Sequence, residues 1–325
     1  MSLKRMIAIL GAFYLVMGVL PIFTGSADHL NILTMILIWA VVASCWDVIM
    51  GFAGILSFGQ VAFYVIGAYA SAILSVSHGI SPLVSIPLAG CITGVFGIIV
   101  GLPCLKLAGH YVALVTFALH MVLVPFLRGP LGRAIGSGGA QGILTVPPIE
   151  LFGYAFNADT LVPFFYLTLV LTIIFTLVLV AVIKSHWGQA FLVIKDSEQF
   201  ASSLGVCSYK YKLMVFALTS FITGFFGALY AHYVGMLSTK MLSMDVFTLL
   251  MIMMVVGGIG KYPGVVIAAA ITVTINQLLA PLGMYRPQIM GAIVILLVLT
   301  LRGGIVGIFE KFLSSRPEGG ISLGR

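Results

Sequence analysis

A succession of apolar runs, each about as long as a lipid bilayer is thick, constrains this chain more than any other feature of its sequence. A helix needs roughly 20 apolar residues to cross the hydrocarbon core, where every backbone polar group must find a partner within the protein. The runs therefore predict an all-α polytopic membrane protein with a single transmembrane domain over residues 1–325. We expect about ten transmembrane helices, near residues 6–24, 30–50, 60–77, 83–104, 111–127, 162–183, 213–236, 246–260, 264–280 and 288–301.

Composition disfavours the soluble alternatives. Only 8% of the residues are charged and 61% are hydrophobic, whereas about 25% of the residues of an average soluble domain are charged. A soluble enzyme could not bury that much apolar side chain, and a disordered chain would leave it in contact with water. The net charge of +7 would suit a nucleic-acid binder, but the basic residues lie between the apolar runs and form no patch with interleaved aromatic residues. We expect a lipid bilayer and no nucleic acid as a partner.

The positions of lysine and arginine predict the orientation in the membrane, because cytoplasmic loops carry an excess of positive charge. With ten spans and a cytoplasmic N-terminus, four of the 16 basic residues lie outside and the remaining twelve lie inside. The opposite orientation would reverse this bias, so both termini are predicted to be cytoplasmic. The four outer residues are Arg128, Arg133, Lys240 and Arg286.

Two connections between the predicted spans are long. Residues 128–161 carry little charge and no helical period, so they are predicted to form an ordered extracytoplasmic loop. Residues 184–212 form the most polar stretch apart from the C-terminal tail and are predicted to lie in the cytoplasm. Six charged residues fall in this second connection: Lys184, Lys195, Asp196, Glu198, Lys210 and Lys212.

The second connection has the pattern of two short amphipathic helices. Ser197 is predicted to cap the second helix and Gly205 to end it. Such helices lie in the headgroup layer or dock into the groove of a partner protein. The apolar face is modest and acidic residues lie at the turn, which favours docking to a protein. The apolar residues at three- and four-residue steps are Ala190, Phe191, Ile194, Ala201 and Leu204.

Glycines have two different roles in this sequence. Gly54 and Gly59 lie with Ser57 and Gln60 in a stretch that predicts a broken helix, which a membrane tolerates only inside the protein or along a cavity. Gly54, Ser57, Gly59 and Gln60 are therefore predicted to line a translocation pathway. Other glycines at helical spacing predict close packing of helices: Gly90, Gly94, Gly97 and Gly101, and Gly224 with Gly227.

No pattern for catalysis, metal binding or cofactor binding is found, so we predict no enzyme activity, no metal site and no cofactor. The nucleotide-binding motif of ATPases is also missing, because Lys261 is followed by Tyr262 instead of serine or threonine. Any ATP that drives this protein must bind to another chain. Asp47 is the one acidic residue in or near the interior of a span, where we expect it to cap a helix or form an ion pair. A proton- or sodium-coupled carrier would need more intramembrane charge.

Seven segments, in this order, resemble those of LivM-like permeases (LivH/LivM family), the inner-membrane subunits of branched-chain amino acid ABC importers. The resemblance spans about residues 30–307. It implies a type II ABC importer-like permease fold in a bacterial inner membrane and a cytoplasmic coupling segment between the sixth and seventh helices. The segments are residues 51–69, 101–116, 138–142, 185–217, 224–230, 257–264 and 302–304.

The resemblance also implies partners and site residues. The partners would be two ATP-binding subunits, a second homologous permease and a periplasmic substrate-binding protein. The substrate would be a branched-chain or related neutral amino acid, although related systems carry urea, short amides or aromatic acids. A stand-alone channel for a small solute is the remaining alternative, but it would not explain residues 184–212. The residues implied to couple to the ATPase are Gly188, Ala190, Ser197, Glu198, Ala201, Leu204 and Gly205.

Four positions depart from the family pattern. Ile55 stands where glutamine is usual and Gln60 where histidine is usual, both in the predicted pathway. Gln189 replaces an arginine in the coupling segment, and Lys195 replaces another, which keeps the charge but loses the planar guanidinium. The resemblance therefore constrains the family of the protein more tightly than it constrains the class of substrate.

Overall fold

The computed structural model describes residues 3–23, 26–107, 109–151, 154–156 and 161–300, and most of them are helical. This confirms the prediction of an all-α fold. The motif at 302–304 and the basic residues beyond it lie outside the described residues. The helices are α1 (Leu3–Phe23), α2 (Ala27–Asp47), α3 (Gln60–His78), α4 (Pro82–Cys104), α5 (His110–Arg128), α6 (Pro130–Ala134), α7 (Leu161–Lys184), α8 (His186–Asp196), α9 (Glu198–Ser203), α10 (Ser208–Val234), α11 (Met244–Gly257), α12 (Gly264–Leu278) and α13 (Arg286–Thr300). A π-helical turn, Val48–Phe52, follows α2, and two 3-10 turns, Thr239–Leu242 and Ala280–Tyr285, precede α11 and α13.

Seven of these helices are long and apolar enough to cross a membrane: α1, α2 with its π turn, α3, α4, α5, α7 and α10. The chain is therefore a multi-pass membrane protein. Helices α11 and α12 have 14 and 15 residues, fewer than the roughly 20 that a full span needs, and α13 is described only up to Thr300. The predicted count of ten transmembrane helices depends on these three elements and stays a prediction.

Close packing of α10 against α3 and α4 forms the centre of the fold. A Cβ atom on Gly67 would lie 2.1 Å from the carbonyl oxygen of Gly224, and one on Gly97 would lie 2.0 Å from the hydroxyl of Ser220. Helix backbones can approach this closely only where small residues face each other, because packing drives helix association in lipid. The prediction of close helix packing at these glycine sets is confirmed. Helix α2 is the most buried of the long helices, whereas α1 lies at the periphery.

The connection between α5 and α7 contains more regular structure than its sequence indicated. It begins with the short helix α6 and includes a two-stranded antiparallel hairpin of β1 (Ile149–Leu151) and β2 (Tyr154–Phe156). The backbone of Ile143 pairs with that of Leu237, beyond the end of α10. His232 on α10 contacts the carbonyl oxygen of Pro147 at 2.7 Å and the hydroxyl of Ser71 at 2.8 Å. These contacts join the described part of the connection to α10.

Candidate functional site

The helix predicted to break near residues 51–59 does break in the structure. The π turn widens the end of α2, the chain is non-helical over residues 53–59, and α3 begins at Gln60. Side chains bind the backbone groups that the break leaves free. Nε1 of Trp46 donates to the carbonyl oxygen of Ser57 at 2.6 Å, and Oγ1 of Thr116 accepts from the backbone N–H of Phe58 at 2.9 Å. These bonds allow irregular backbone to persist at membrane depth.

Two of the predicted pathway residues place polar side chains inside the helix bundle. The side-chain amide of Gln60 donates to the carbonyl oxygen of Thr219 at 3.4 Å and also contacts the hydroxyl of Thr223 on α10. Its own carbonyl oxygen is buried and has no hydrogen-bond partner among the described residues. Ser57 is fully buried, and Gly59 beside it is buried as well. Gly54 instead lies exposed, beside α8.

An apolar cavity of about 420 Å³ adjoins the break. Aromatic rings dominate it, with the ring centroids of Phe58 and Phe117 lying 5.6 Å from that of Phe247. No sequence pattern predicted this cavity, because its lining comes from three separate stretches and, apart from His110, consists of ordinary apolar residues. The lining residues are Leu56, Phe58, His110, Ala113, Leu114, Phe117 and Phe247.

The predicted coupling segment forms the two short helices α8 and α9. Ser185 caps α8 by accepting from the N–H of Trp187 at 3.1 Å, and Ser197 caps α9 by accepting from the N–H of Phe200 at 3.2 Å. Gly205 follows α9 with a φ of 78°, a conformation that glycine adopts without strain. The predicted cap at Ser197 and the predicted stop at Gly205 are both confirmed.

Most of the apolar face that the sequence pattern predicted packs against the chain's own helices, whereas its last member, Leu204, is exposed. Phe191, Ile194 and Ala201 are buried, and the ring of Phe191 meets that of Tyr211 on α10 edge-on at 6.3 Å. Gly188 is buried at the start of α8, where a Cβ atom would lie 2.0 Å from the carbonyl oxygen of Ile183. Phe191, Ile194 and Ala201 therefore hold the segment on the protein and are not available for docking.

A second apolar face of the coupling segment is exposed. We call its four members the outer face: Trp187, Leu192, Phe200 and Leu204, which are between 38% and 61% exposed. Among the residues predicted to couple, Leu204 belongs to this face, and Ser197, Glu198 and Gly205 are exposed near it, whereas Ala190 is half-buried. Glu198 forms an ion pair with Lys212 at 2.7 Å, which ties α9 to the start of α10.

Three parts of the chain meet where α2 unwinds. Nζ of Lys195 on α8 donates to the carbonyl oxygen of Gly51 at 2.7 Å. Oδ1 of Asp47 accepts from the backbone N–H of Gly260, between α11 and α12, at 2.6 Å. We call Asp47, Gly51, Lys195 and Gly260 the joint, because they connect the coupling segment, the broken helix and the α11–α12 turn.

The sequence predicted only part of the joint. Asp47 was expected to cap a helix or form an ion pair, but its carboxylate instead accepts from a backbone N–H in the α11–α12 turn. The role of Lys195 was missed, because residues 51 and 195 are remote in the chain and a lysine in a polar loop is common. The one available signal was the positive charge that Lys195 keeps at a position where the resembled family has arginine.

Comparisons with known proteins agree with this architecture. The profile of the family described as "Branched-chain amino acid transport system / permease component" matches residues 29–303. This chain belongs to that permease family. The permease is 27% identical over 313 residues to the high-affinity branched-chain amino acid transport system permease protein LivM of Salmonella typhimurium, and 26% identical to LivM of Escherichia coli. Both alignments cover 90% of this chain and 73% of the relative. No solved structure gives a significant match.

The permease offers no grouped metal ligands in the part of the chain that the structure describes. No three side chains of histidine, cysteine, aspartate or glutamate lie close enough there to hold a metal ion. The polar groups of the site are instead arranged as hydrogen-bonded links between helices. Such links can transmit a displacement from one element to another.

Proposed function

We propose that this permease is the membrane-spanning subunit of an ATP-driven importer for branched-chain or related neutral amino acids. The observation that carries the proposal is the joint. A short helix pair at the surface is bonded through Lys195 to the point at which a transmembrane helix unwinds. A displacement of that helix pair would therefore act directly on the broken helix.

The outer face of the coupling segment is where the ATP-binding subunit would dock. Its apolar side chains are exposed and suit the groove of a partner protein, in the manner of an amphipathic helix. ATP binding would close the two ATP-binding subunits, and α8 and α9 would follow as a rigid unit. The full assembly would add a second homologous permease and a periplasmic substrate-binding protein, with both termini of this chain in the cytoplasm of a bacterial inner membrane.

The cavity beside the break supports an apolar substrate. Its lining is almost entirely apolar and aromatic, and its volume of about 420 Å³ lies within the range of small-molecule sites. An aliphatic amino-acid side chain would be accommodated by such a surface. Aromatic acids are the second candidate substrate class, because the rings of Phe58, Phe117 and Phe247 could stack on an aromatic ligand. Urea or a short amide would gain little from this lining.

Site-directed cross-linking tests the docking surface. The permease, with its exposed Cys91 and Cys207 replaced by serine, is co-expressed with an ATP-binding subunit that carries cysteines along its groove, and a cysteine replaces Phe200 or Leu204. We expect both variants to form disulfide-linked heterodimers. Leu131→Cys, which is 67% exposed on α6, is the matched control and should form none. The proposal would be contradicted if Leu131→Cys formed the cross-link and Phe200→Cys and Leu204→Cys did not.

A further inference from the structure

A second cavity lies among the ends of α11, α12 and α13, remote in the sequence from the break. It has a volume of about 410 Å³ and is lined by the first turns of α11, the last turn of α12 and the start of α13. The α11–α12 turn, which carries Gly260 of the joint, lies at the other end of α11 and α12. By the orientation proposed above, the cavity opens on the periplasmic side. We call it the outer cavity.

Two opposite charges line the outer cavity. Asp245 in the first turn of α11 is exposed, and Arg286 at the start of α13 is half-buried. No ion pair joins these two residues in the part of the chain that the structure describes. Two opposite charges on one cavity wall that do not bind each other can each bind a group of the opposite sign on a ligand.

Asn276 holds the arginine in position. Nε of Arg286 donates to Oδ1 of Asn276 on α12 at 2.7 Å. A guanidinium has five N–H donors in a rigid planar fork, so this bond orients the group and leaves its other donors for a ligand. A planar fork of this kind matches the geometry of a carboxylate. Arg286 is thus prepared to bind a carboxylate group.

The floor of the outer cavity is apolar. Ile252 and Met290 are 4% and 5% exposed and belong to a small apolar cluster separate from the main core, and Leu249 packs against that cluster. The cavity therefore combines a carboxylate, a guanidinium and an aliphatic surface. A favourable position for an acid in the first turn of a helix could explain Asp245 alone, but it does not explain the oriented Arg286 in the same cavity.

We infer that the outer cavity binds a zwitterionic α-amino acid with an aliphatic side chain. Asp245 would bind the ammonium group, Arg286 the carboxylate, and Leu249, Ile252 and Met290 the side chain. The site follows from the chemistry of the cavity, whereas its place at the entrance of a transport route rests on the proposed function. No covalent step is involved, and the amino acid would be released unchanged.

Binding of L-leucine to the full chain in lipid nanodiscs tests this inference by calorimetry. Two analogues remove one charge each: 4-methylpentanoate lacks the ammonium group, and leucinamide lacks the carboxylate. We expect leucine to bind. Both analogues should bind at least about tenfold more weakly, since each loses a charge-assisted hydrogen bond. Asp245→Asn and Arg286→Gln should weaken leucine binding to a similar extent.

Two control variants separate the outcomes. Lys240→Gln removes a charge that lines a neighbouring cavity and should leave leucine binding unchanged. Arg286→Lys keeps the charge and should bind leucine better than Arg286→Gln, which a merely structural role of Arg286 would not explain. Equal binding of leucine and its analogues, unchanged binding in both charge-neutral variants, or no leucine binding by the wild type would overturn the inference. Uptake by the assembled importer, measured in parallel, would show whether the proposed function fails with it.

Discussion

At the joint, the lack of a side chain on Gly51 lets its backbone approach that of Gly260 closely. A Cβ atom there would lie 2.4 Å from Oδ1 of Asp47 and 2.4 Å from the backbone nitrogen of Gly260. Neither neighbour can move freely, because the first is bonded to the second at 2.6 Å. Glycine is therefore required at this position by a contact between elements, and not by a local turn.

Gly51→Ala is expected to destabilise the protein by about 1–3 kcal/mol, the usual cost of overpacking a filled site. Thermal unfolding in detergent measures the change. Gly11→Ala on α1 is the matched control, because a Cβ atom there would meet nothing within 4 Å, and alanine favours the helix by roughly 0.5–1 kcal/mol. Equal melting temperatures for the two variants would show that the joint is looser than described.

Thr116 stabilises the break itself through a single hydroxyl. Thr116→Val keeps the shape of the side chain but leaves the N–H of Phe58 without its acceptor. We expect a loss of about 1–3 kcal/mol, the cost of a buried unsatisfied donor, together with faster hydrogen exchange over residues 53–59. Thr274→Val is the control, since its hydroxyl bonds only within its own helix and is exposed. A break that exchanges no faster in Thr116→Val than in Thr274→Val would refute this role.

Among the elements, α8 and α9 connect the surface of the molecule to its interior. Their buried face fixes them on α10, and Lys195 bonds them to the broken helix. Removing this bond should leave both helices folded, because their packing and caps do not depend on it. The bond is therefore suited to transmit movement without being needed for folding.

Lys195→Met is expected to uncouple the importer. In the assembled transporter, uptake should fall about tenfold, the effect of losing one charge-assisted hydrogen bond, while ATP hydrolysis continues. Lys195→Arg keeps a positive donor and should restore part of the uptake, and Lys210→Met, at an exposed position of the same connection, should behave as wild type. Parallel loss of uptake and hydrolysis in Lys195→Met would mean that the residue serves docking or folding instead.

Sequence patterns predicted elements better than they predicted contacts. The short helix pair, the cap at Ser197 and the stop at Gly205 follow from local rules of helix ends, and the structure contains all three. The direction of the apolar face did not follow from them. A repeat of three and four residues shows that Phe191 and Ala201 share a face, but not whether that face meets a partner or the chain's own α10.

At the scale of the whole molecule, hydropathy identified the membrane class and the long helices. It was less informative for α11 and α12, because a helix of 14 or 15 apolar residues can cross a thinned membrane or end within it. Hydropathy did not predict the two cavities either. The cavity beside the break joins stretches far apart in the chain, and the outer cavity joins the ends of three successive helices, so only their packing brings the lining residues together.

The central claim is that this permease moves solute only when ATP-binding partners drive it. Uptake of radiolabelled leucine into proteoliposomes measures this directly, with the chain alone in one set and the chain with its second permease, ATP-binding subunits and substrate-binding protein in the other. The account predicts leucine accumulation that requires ATP in the complete set and no flux through the chain alone. Leucine or urea equilibrating through the chain alone, without ATP, would contradict it.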